Sequence, residues 1–158
     1  MNRKELLLRM LDTTFEKESW HAPFKTSIEG LTAEQARWRP VGEATNTIWE
    51  NVNHLIYYKE RLAANLEDRA WTLNLDNNET FSLTEQIKDD KEWITVVERA
   101  ITVHYRLKEA VNKVSTEQLE RNSLEEKLLD ITLHDAYHTG QIIQIRKMQG
   151  SWPSHRDC

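Results

Sequence analysis

Apolar residues recur along most of this chain at the three- and four-residue spacing of amphipathic helices. The pattern predicts four long helices, roughly over residues 3–20, 47–66, 83–114 and 123–148, and no segment shows the alternation of a strand. Long amphipathic helices without strands predict an all-α fold, a four-helix bundle with short connecting helices. The predicted inward residues of the second helix are Ile48, Val52, Leu55, Ile56 and Leu62, and those of the third are Ile87, Ile94, Val97, Ile101 and Val111.

Start and stop signals bound the predicted helices. Pro23 ends the first helix and Gly150 ends the last, because neither residue continues a helix easily. Residues 42–46 and 67–82 are predicted as connections, and the charged run at residues 89–92 as a solvated helix face. A polar residue with Glu or Gln three positions later has the form of a capping box. Such pairs are Asn2 with Glu5, Thr32 with Gln35, Ser115 with Gln118 and Ser123 with Glu126.

Length and composition narrow the class of protein. A chain of 158 residues with 39% apolar residues, 30% charged residues and four glycines suits one helical domain. We assign residues 1–150 to this domain and residues 151–158 to a loosely held tail. The net charge is −5, and no run of Lys and Arg exceeds two residues. We therefore expect neither nucleic acid nor an anionic membrane as a partner.

Targeting signals and cysteine content favour the cytoplasm. The first residues lead into an amphipathic segment rather than an apolar run, so no signal peptide is expected. No stretch approaches the ~18 apolar residues of a membrane span. The single cysteine, Cys158, cannot form an internal disulfide and is not placed like a nucleophile.

The strongest chemical signal is a histidine pair, His134 and His138, on the fourth helix. Residues four apart lie about 40° apart around a helix and about 6 Å apart on its surface, so both rings can reach one cation. Ile131, Ile142 and Ile145 share this side of the helix, which places the pair at the buried face. The alternative is two core histidines hydrogen-bonded to their neighbours, because pairs at this spacing also arise by chance.

A third histidine, His54, lies beside the inward residue Leu55 of the second helix. Alone it would be a structural histidine. Three neutral ring nitrogens from two helices would instead form a tripod with open coordination positions, as in catalytic metal sites. His104 is predicted as a core or boundary residue, and His21 as a polar residue at the pocket wall.

The order and spacing of several segments resemble the DinB/YfiT-like metalloenzymes, the DinB superfamily. Residues 20–23 and 31–40 are similar to the family's exit from helix one and its connecting turn. Residues 48–57, around His54, are similar to its first ligand segment. Residues 134–142 and 146–150 are similar to its second ligand segment, so the resemblance covers nearly the whole chain.

The resemblance implies an up-down-down-up helix order, with residues 67–82 as the long second crossover. It implies a divalent metal, zinc or nickel, on His54, His134 and His138, with water completing the coordination. It also implies a homodimer. Some relatives use a low-molecular-weight thiol as co-substrate, and certain of these carry a carboxylate at the position of His134.

Three neutral imidazoles leave the ion its full positive charge, which favours an anionic further ligand. Such an ion can lower the pKa of bound water from 15.7 to about 7, and it can equally deprotonate a thiol with a free pKa of ~8.5. The sequence leaves both open, and no catalytic side chain is assigned. Glu50 and Asp130, each four residues before a histidine, are candidates to orient the rings or are simply solvated carboxylates. Tyr58 and Gln141 are further candidates for the pocket wall.

The sequence therefore predicts a metal-dependent enzyme of the thiol-transferase or hydrolase type, acting on a small molecule. The alternative is a non-catalytic metal- or ligand-binding helical bundle.

Overall fold

A computed structural model describes residues 1–82 and 89–155 of the chain. Its regular structure is helical, and no strand occurs in these two ranges, so the predicted all-α class is confirmed. Two single turns of 3₁₀-helix lie at Glu79–Phe81 and Arg121–Ser123. The α-helices are α1 (Arg3–Phe15), α2 (Phe24–Ile28), α3 (Ala33–Arg37), α4 (Ile48–Leu66), α5 (Asp90–Lys113), α6 (Thr116–Glu120) and α7 (Leu124–Met148).

The four long helices α1, α4, α5 and α7 pack around a shared interior. Helix α4 packs against α5 and α7, and α1 packs against the same two helices. Ion pairs join Glu60 to Arg99 and Glu67 to Arg106. The residue numbers rise together along both helices, so α4 and α5 run in the same direction.

Helices α4 and α7 run in opposite directions. Asn51 near the start of α4 contacts His138, whereas Lys59 further along α4 contacts Asp135, earlier in α7. The antiparallel arrangement matters for the site, because it brings residues from the first half of α4 opposite the middle of α7.

Helix α1 runs antiparallel to α5. The ammonium of Lys4 donates to the carbonyl of Val114, 2.8 Å away, and Asp12 pairs with Lys108. These pairwise directions agree with the up-down-down-up order that the resemblance implies. That order as a whole stays a prediction.

The apolar core is divided into two clusters by a polar layer. One cluster contains Trp49 and Trp93, and the other contains Leu11 and Leu128. Each long helix contributes polar residues between the two clusters. These buried residues are Thr14 of α1, His54 and Lys59 of α4, His104 of α5, and Asp135 and His138 of α7.

Three of the predicted capping boxes are present, and the predicted helix α4 is confirmed. The boxes open α1, α3 and α6. The fourth predicted cap is wrong: Ser123 adopts a left-handed backbone with φ of 52° at the end of a 3₁₀ turn, and its hydroxyl makes no cap hydrogen bond. Thr47, preceding α4, forms a further box with Glu50, which was not among the predicted pairs.

The predicted end of helix one at residue 20 is wrong, because α1 ends at Phe15. The backbone N–H groups of Glu16 and Lys17 both bond to the carbonyl of Asp12, which closes the helix. No inward apolar residue follows Phe15 in this segment, and Trp20 is fully exposed. The chain then forms the short helix α2, whose N-cap is Pro23.

One of the inward residues predicted for the third long helix is wrong. Val111 is buried, and Val97 and Ile101 pack against the core as predicted, but Ile94 faces outward. Ile94 is 56% exposed, whereas its neighbour Trp93 is buried and donates its indole N–H to the carbonyl of Leu31. The start predicted at residue 83 and the inward residue Ile87 lie outside the described residues. Asp89, Asp90 and Lys91 are exposed, as predicted, and Asp89 is also the N-cap of α5, since its side chain accepts from the N–H of Glu92.

The division into a domain and a loose tail at residue 150 stays a prediction. Two tail residues contact α7, where Arg146 donates to the carbonyl of Ser151 and lies 5.1 Å from the ring of Trp152. None of the helices in the described ranges combines the length and the apolar character needed to span a membrane.

Candidate metal centre

Three histidines from two helices converge in the polar layer. One ring nitrogen from each of His54, His134 and His138 lies within 4.8 Å of the others. The Nε2 atoms of His54 and His134 are 2.8 Å apart. His54 and His138 are buried and His134 is half-buried, so solvent approaches the cluster from the side of His134.

A hydrogen-bond chain sets the tautomer of His54. Its Nδ1 lies 2.6 Å from the hydroxyl oxygen of Thr80, and that hydroxyl lies 2.6 Å from the carbonyl oxygen of Asn77. Because the single hydroxyl proton goes to the Asn77 carbonyl, the Thr80 oxygen accepts from Nδ1–H of His54. The Nε2 lone pair of His54 then points toward the other two rings, with Nε2 of His134 2.8 Å away.

The crossover at residues 67–82 is folded so that it presents Thr80. Asp76 accepts hydrogen bonds from the N–H groups of Asn78 and Glu79 and thereby starts the 3₁₀ turn Glu79–Phe81. The hydroxyl of Tyr57 ties the crossover to α4, since it donates to the carbonyl of Leu73 and accepts from the N–H of Leu75.

A second chain sets the tautomer of His138. The side-chain NH₂ of Asn51 donates to the carbonyl of Thr47 at 2.8 Å, which fixes the orientation of the amide. The amide oxygen of Asn51 therefore faces Nδ1 of His138, also at 2.8 Å, and accepts its proton. His138 likewise keeps a free Nε2 lone pair, and the capping box at Thr47 and Glu50 fixes the helix start that positions Asn51.

The donor set fits a divalent metal ion. Hydrogen bonding at Nδ1 fixes His54 and His138 in the tautomer whose Nε2 is a ligand, the usual arrangement behind a metal-binding histidine. The Nε2 lone pairs of His54 and His138 both face the ring of His134. Among the described residues, the N–H of His134 is the one donor that lies between the rings. A cation would satisfy all three nitrogens. The Nδ1 of His134 has no hydrogen-bond partner in the described part of the chain.

The surroundings keep the three rings neutral. Burial is the largest cause in each case: it lowers the pKa of His54 to about 3 and of His134 to about 4, with the neighbouring histidines adding to both shifts. Burial also lowers the pKa of His138, and a hydrogen bond to Gln141 opposes this shift. Neutral imidazole is the form that binds metal, so protons compete weakly for this site near neutral pH.

Aromatic rings form the wall of the site. Phe81 stacks on the ring of His54 with centroids 3.9 Å apart, and Tyr58 meets His54 edge-on at 4.9 Å. A pocket of about 810 Å³ opens beside Tyr58 and His134. A small molecule in this pocket would reach the cluster through its half-buried ring.

The other predicted site residues differ in how close they lie to the three histidines. Tyr58 and Gln141 contact the histidines, as described, and Asp130 lies in the wall of the adjoining pocket. The carboxylate of Glu50 bonds the N–H of Thr47 and pairs with Arg39. His21 is exposed, and its Nδ1 lies 3.1 Å from the carbonyl oxygen of its neighbour.

Three residues of the site, Thr80, Asn51 and Phe81, were not predicted from the sequence. The place of Asn51 in the site was predictable from its spacing, since an amide three residues before His54 lies on the same helix face. The places of Thr80 and Phe81 were not predictable, because both lie in a crossover without hydrophobic periodicity. Only the fold determines the path of this crossover.

A buried charged group adjoins the histidines in the polar layer. The ammonium of Lys59 lies 2.7 Å from a carboxylate oxygen of Asp135 and 3.2 Å from Nδ1 of His104. The ring of His104 stacks on Phe15 with centroids 3.6 Å apart. Burial, followed by the charge of Lys59, lowers the pKa of His104 far below its usual range, so this ring is neutral. His104 is thus a core residue, as predicted.

The chain matches a known protein family. A family model described as the DinB superfamily matches residues 18–142, which include His54, His134 and His138. Neither the curated proteins nor the solved structures include a significant match to the chain.

Proposed function

We propose that this chain, which belongs to the DinB superfamily, is a metal-dependent enzyme that acts on a small molecule. One divalent ion, zinc or nickel, would be held by Nε2 of His54, His134 and His138. The observation that carries the proposal is the convergence of three neutral rings, two of them fixed with Nε2 inward by Thr80 and Asn51.

The residues around the three histidines have different roles. Thr80 and Asn51 hold the rings in place, and Phe81 covers one face of His54 and keeps water from it. The pocket leaves the side of His134 open to a small molecule. When bound, a divalent ion supplies Lewis acidity and lowers the pKa of a water molecule or a thiol. The reaction classes that fit are transfer to or from a thiol and hydrolysis.

A non-catalytic metal- or ligand-binding bundle is the alternative, and one observation favours it. In the described residues no carboxylate hydrogen-bonds any of the three rings, and Asp130 supplies the single carboxylate of the adjoining pocket wall. A side chain placed to act as general acid or base is therefore not evident. A binding site needs no such group.

Cobalt substitution distinguishes these functions, because the visible spectrum of Co²⁺ reports its coordination. We expect titration of the cobalt-loaded protein with 2-mercaptoethanol to produce a sulfur-to-metal charge-transfer band. The protein should then consume this thiol with an electrophilic test substrate faster than the His54→Ala variant does. His21→Ala, which removes an exposed histidine, is the matched control and should behave like the wild type.

Each other result has a defined meaning. Hydrolysis of an activated ester without any thiol-dependent band would assign the site to hydrolysis. A thiol band without turnover of any test substrate would support the binding module over the enzyme. A cobalt spectrum that responds to neither thiol, azide nor substrate analogues would contradict an open metal site.

A further inference from the structure

The pocket beside His134 is built from two antiparallel helix faces. Helix α4 contributes residues 58, 61, 62 and 65, and α7 contributes residues 127, 130, 131 and 134. Both sets follow the spacing of three, one and three residues, so each is one face of its helix. Residues 69–77 of the crossover supply the third wall. The volume of about 810 Å³ lies within the usual range of small-molecule sites.

The pocket is elongated, with the histidines at one end. It runs from Tyr58 and His134 toward Asn65 and Lys127. Tyr58 and Asn65 are seven residues apart on α4, and so are Lys127 and His134 on α7. A helix rises 1.5 Å per residue, so the pocket is about 10 Å long. A ligand that reaches His134 with one end has its other end near the far half of the pocket.

The charge of this pocket is opposite to that of the protein. Its wall contains Arg61, Arg69 and Lys127 against one carboxylate, Asp130, whereas the whole chain has a net charge of −5. The guanidinium of Arg69 is partly engaged by Glu67, at 3.3 Å. Neither Arg61 nor Lys127 forms an ion pair with any carboxylate in residues 1–82 or 89–155. Two cations from facing helices are thus available to a ligand.

The remaining wall suits the apolar part of a ligand and offers it a donor. Trp71, Tyr58, Leu62 and Ile131 supply aromatic and aliphatic surface. The indole N–H of Trp71 is buried and has no hydrogen-bond partner among the described residues. An unpaired buried donor costs free energy unless a ligand or water accepts from it.

We propose that the substrate is an elongated small molecule with an anionic group, a carboxylate or phosphate, that binds between Arg61 and Lys127. Its apolar part lies along Trp71, and its reactive end lies at His134. Arg61 is three residues from Tyr58 and Lys127 is seven residues from His134, so the anionic group lies about 5–10 Å along the pocket from the reactive end. The assignment of the reactive end rests on the proposed function. The anion subsite rests on the pocket alone and can be tested separately.

The test compares two probes of equal shape, 4-phenylbutyrate and its neutral analogue 4-phenylbutyramide. The zinc-loaded, ¹⁵N-labelled full chain is titrated with each, and the indole N–H signal of Trp71, assigned with Trp71→Phe, reports binding. We expect the wild type to bind the carboxylate about tenfold tighter than the amide, because a charge-assisted hydrogen bond contributes about this much. Added salt should weaken the binding of the carboxylate probe but not that of the amide.

Variants locate the anion. Arg61→Gln and Lys127→Gln should each lose most of the preference for the carboxylate. Arg9→Gln and Lys147→Gln, which remove exposed charges outside the pocket, should keep it. His138→Ala should also keep it, so a failure of the metal proposal leaves this result intact. Equal affinity for both probes would overturn the proposal, as would an unchanged preference in both pocket variants or its loss in His138→Ala.

Discussion

Replacing Lys59 by methionine should be among the most destabilising single substitutions in this protein. The side chains of Lys59 and Asp135 are 4% and 1% exposed, and their charged atoms are 2.7 Å apart. Methionine fills similar space but carries no charge, so the variant leaves the carboxylate of Asp135 buried without its partner. The carboxylate would then lie in the polar layer between the two apolar clusters.

The structure gives the size of the effect. Removing one partner of a buried ion pair costs about 3–5 kcal/mol, which is a large fraction of the ~5–15 kcal/mol stability of a typical domain. The double variant Lys59→Met/Asp135→Leu should recover most of this loss, because no buried charge then remains. Arg99→Met is the matched control. It breaks a pair of the same length, 2.7 Å, with Glu60, but that pair is 55% and 23% exposed and should cost under about 1 kcal/mol.

Urea unfolding followed by far-UV circular dichroism measures these differences, on metal-free protein so that ion binding does not add to stability. If Lys59→Met loses no more than Arg99→Met, the pair is not buried as described. If the double variant is as unstable as the single one, the loss comes from packing rather than from an unpaired carboxylate.

Three other predictions test separate features. Thr80→Val removes the acceptor for Nδ1–H of His54 and should weaken metal binding about 10- to 100-fold in a competition titration, whereas Thr95→Val on the exposed face of α5 should not. Burial tends to raise the pKa of Asp12, but the ammonium groups of Lys108 and Lys17 together outweigh burial and hold that pKa below its usual value. The contribution of Asp12 to stability is therefore complete above about pH 4 and lost as the pH falls through the lowered pKa. Asp12→Asn should thus destabilise the protein at pH 6 but much less at pH 2.5 in urea unfolding; an equal loss at both would contradict the ion pair. Light scattering should give a homodimer, twice the 18.7 kDa chain mass, and the chain mass alone at micromolar concentrations would contradict this.

The sequence predicted the features that depend on helical periodicity. The spacing of His134 and His138 and the burial of His54 beside Leu55 follow from positions on regular helices. The start of α4 was also predicted to within a residue, since Thr47 is its N-cap. In these places local pattern and tertiary packing favour the same structure.

The features that were predicted wrongly, or not predicted, depend on long-range packing. Ile94 and Trp93 are both apolar, and only the contact of Trp93 with Leu31, 62 residues away, decides which one faces inward. Thr80 lies in a crossover without periodicity, and its role comes from a bond to His54 across 26 residues. Periodicity along the chain does not encode either contact.

Elemental analysis of protein purified without an affinity tag tests the metal centre most directly. We expect about one divalent ion per chain in the wild type and in His21→Ala. The His138→Ala variant should lose the ion while circular dichroism shows that its helix content persists. Full metal occupancy in a folded His138→Ala variant, or no divalent ion in the wild type even after reloading with zinc or nickel, would contradict a metal centre on His54, His134 and His138.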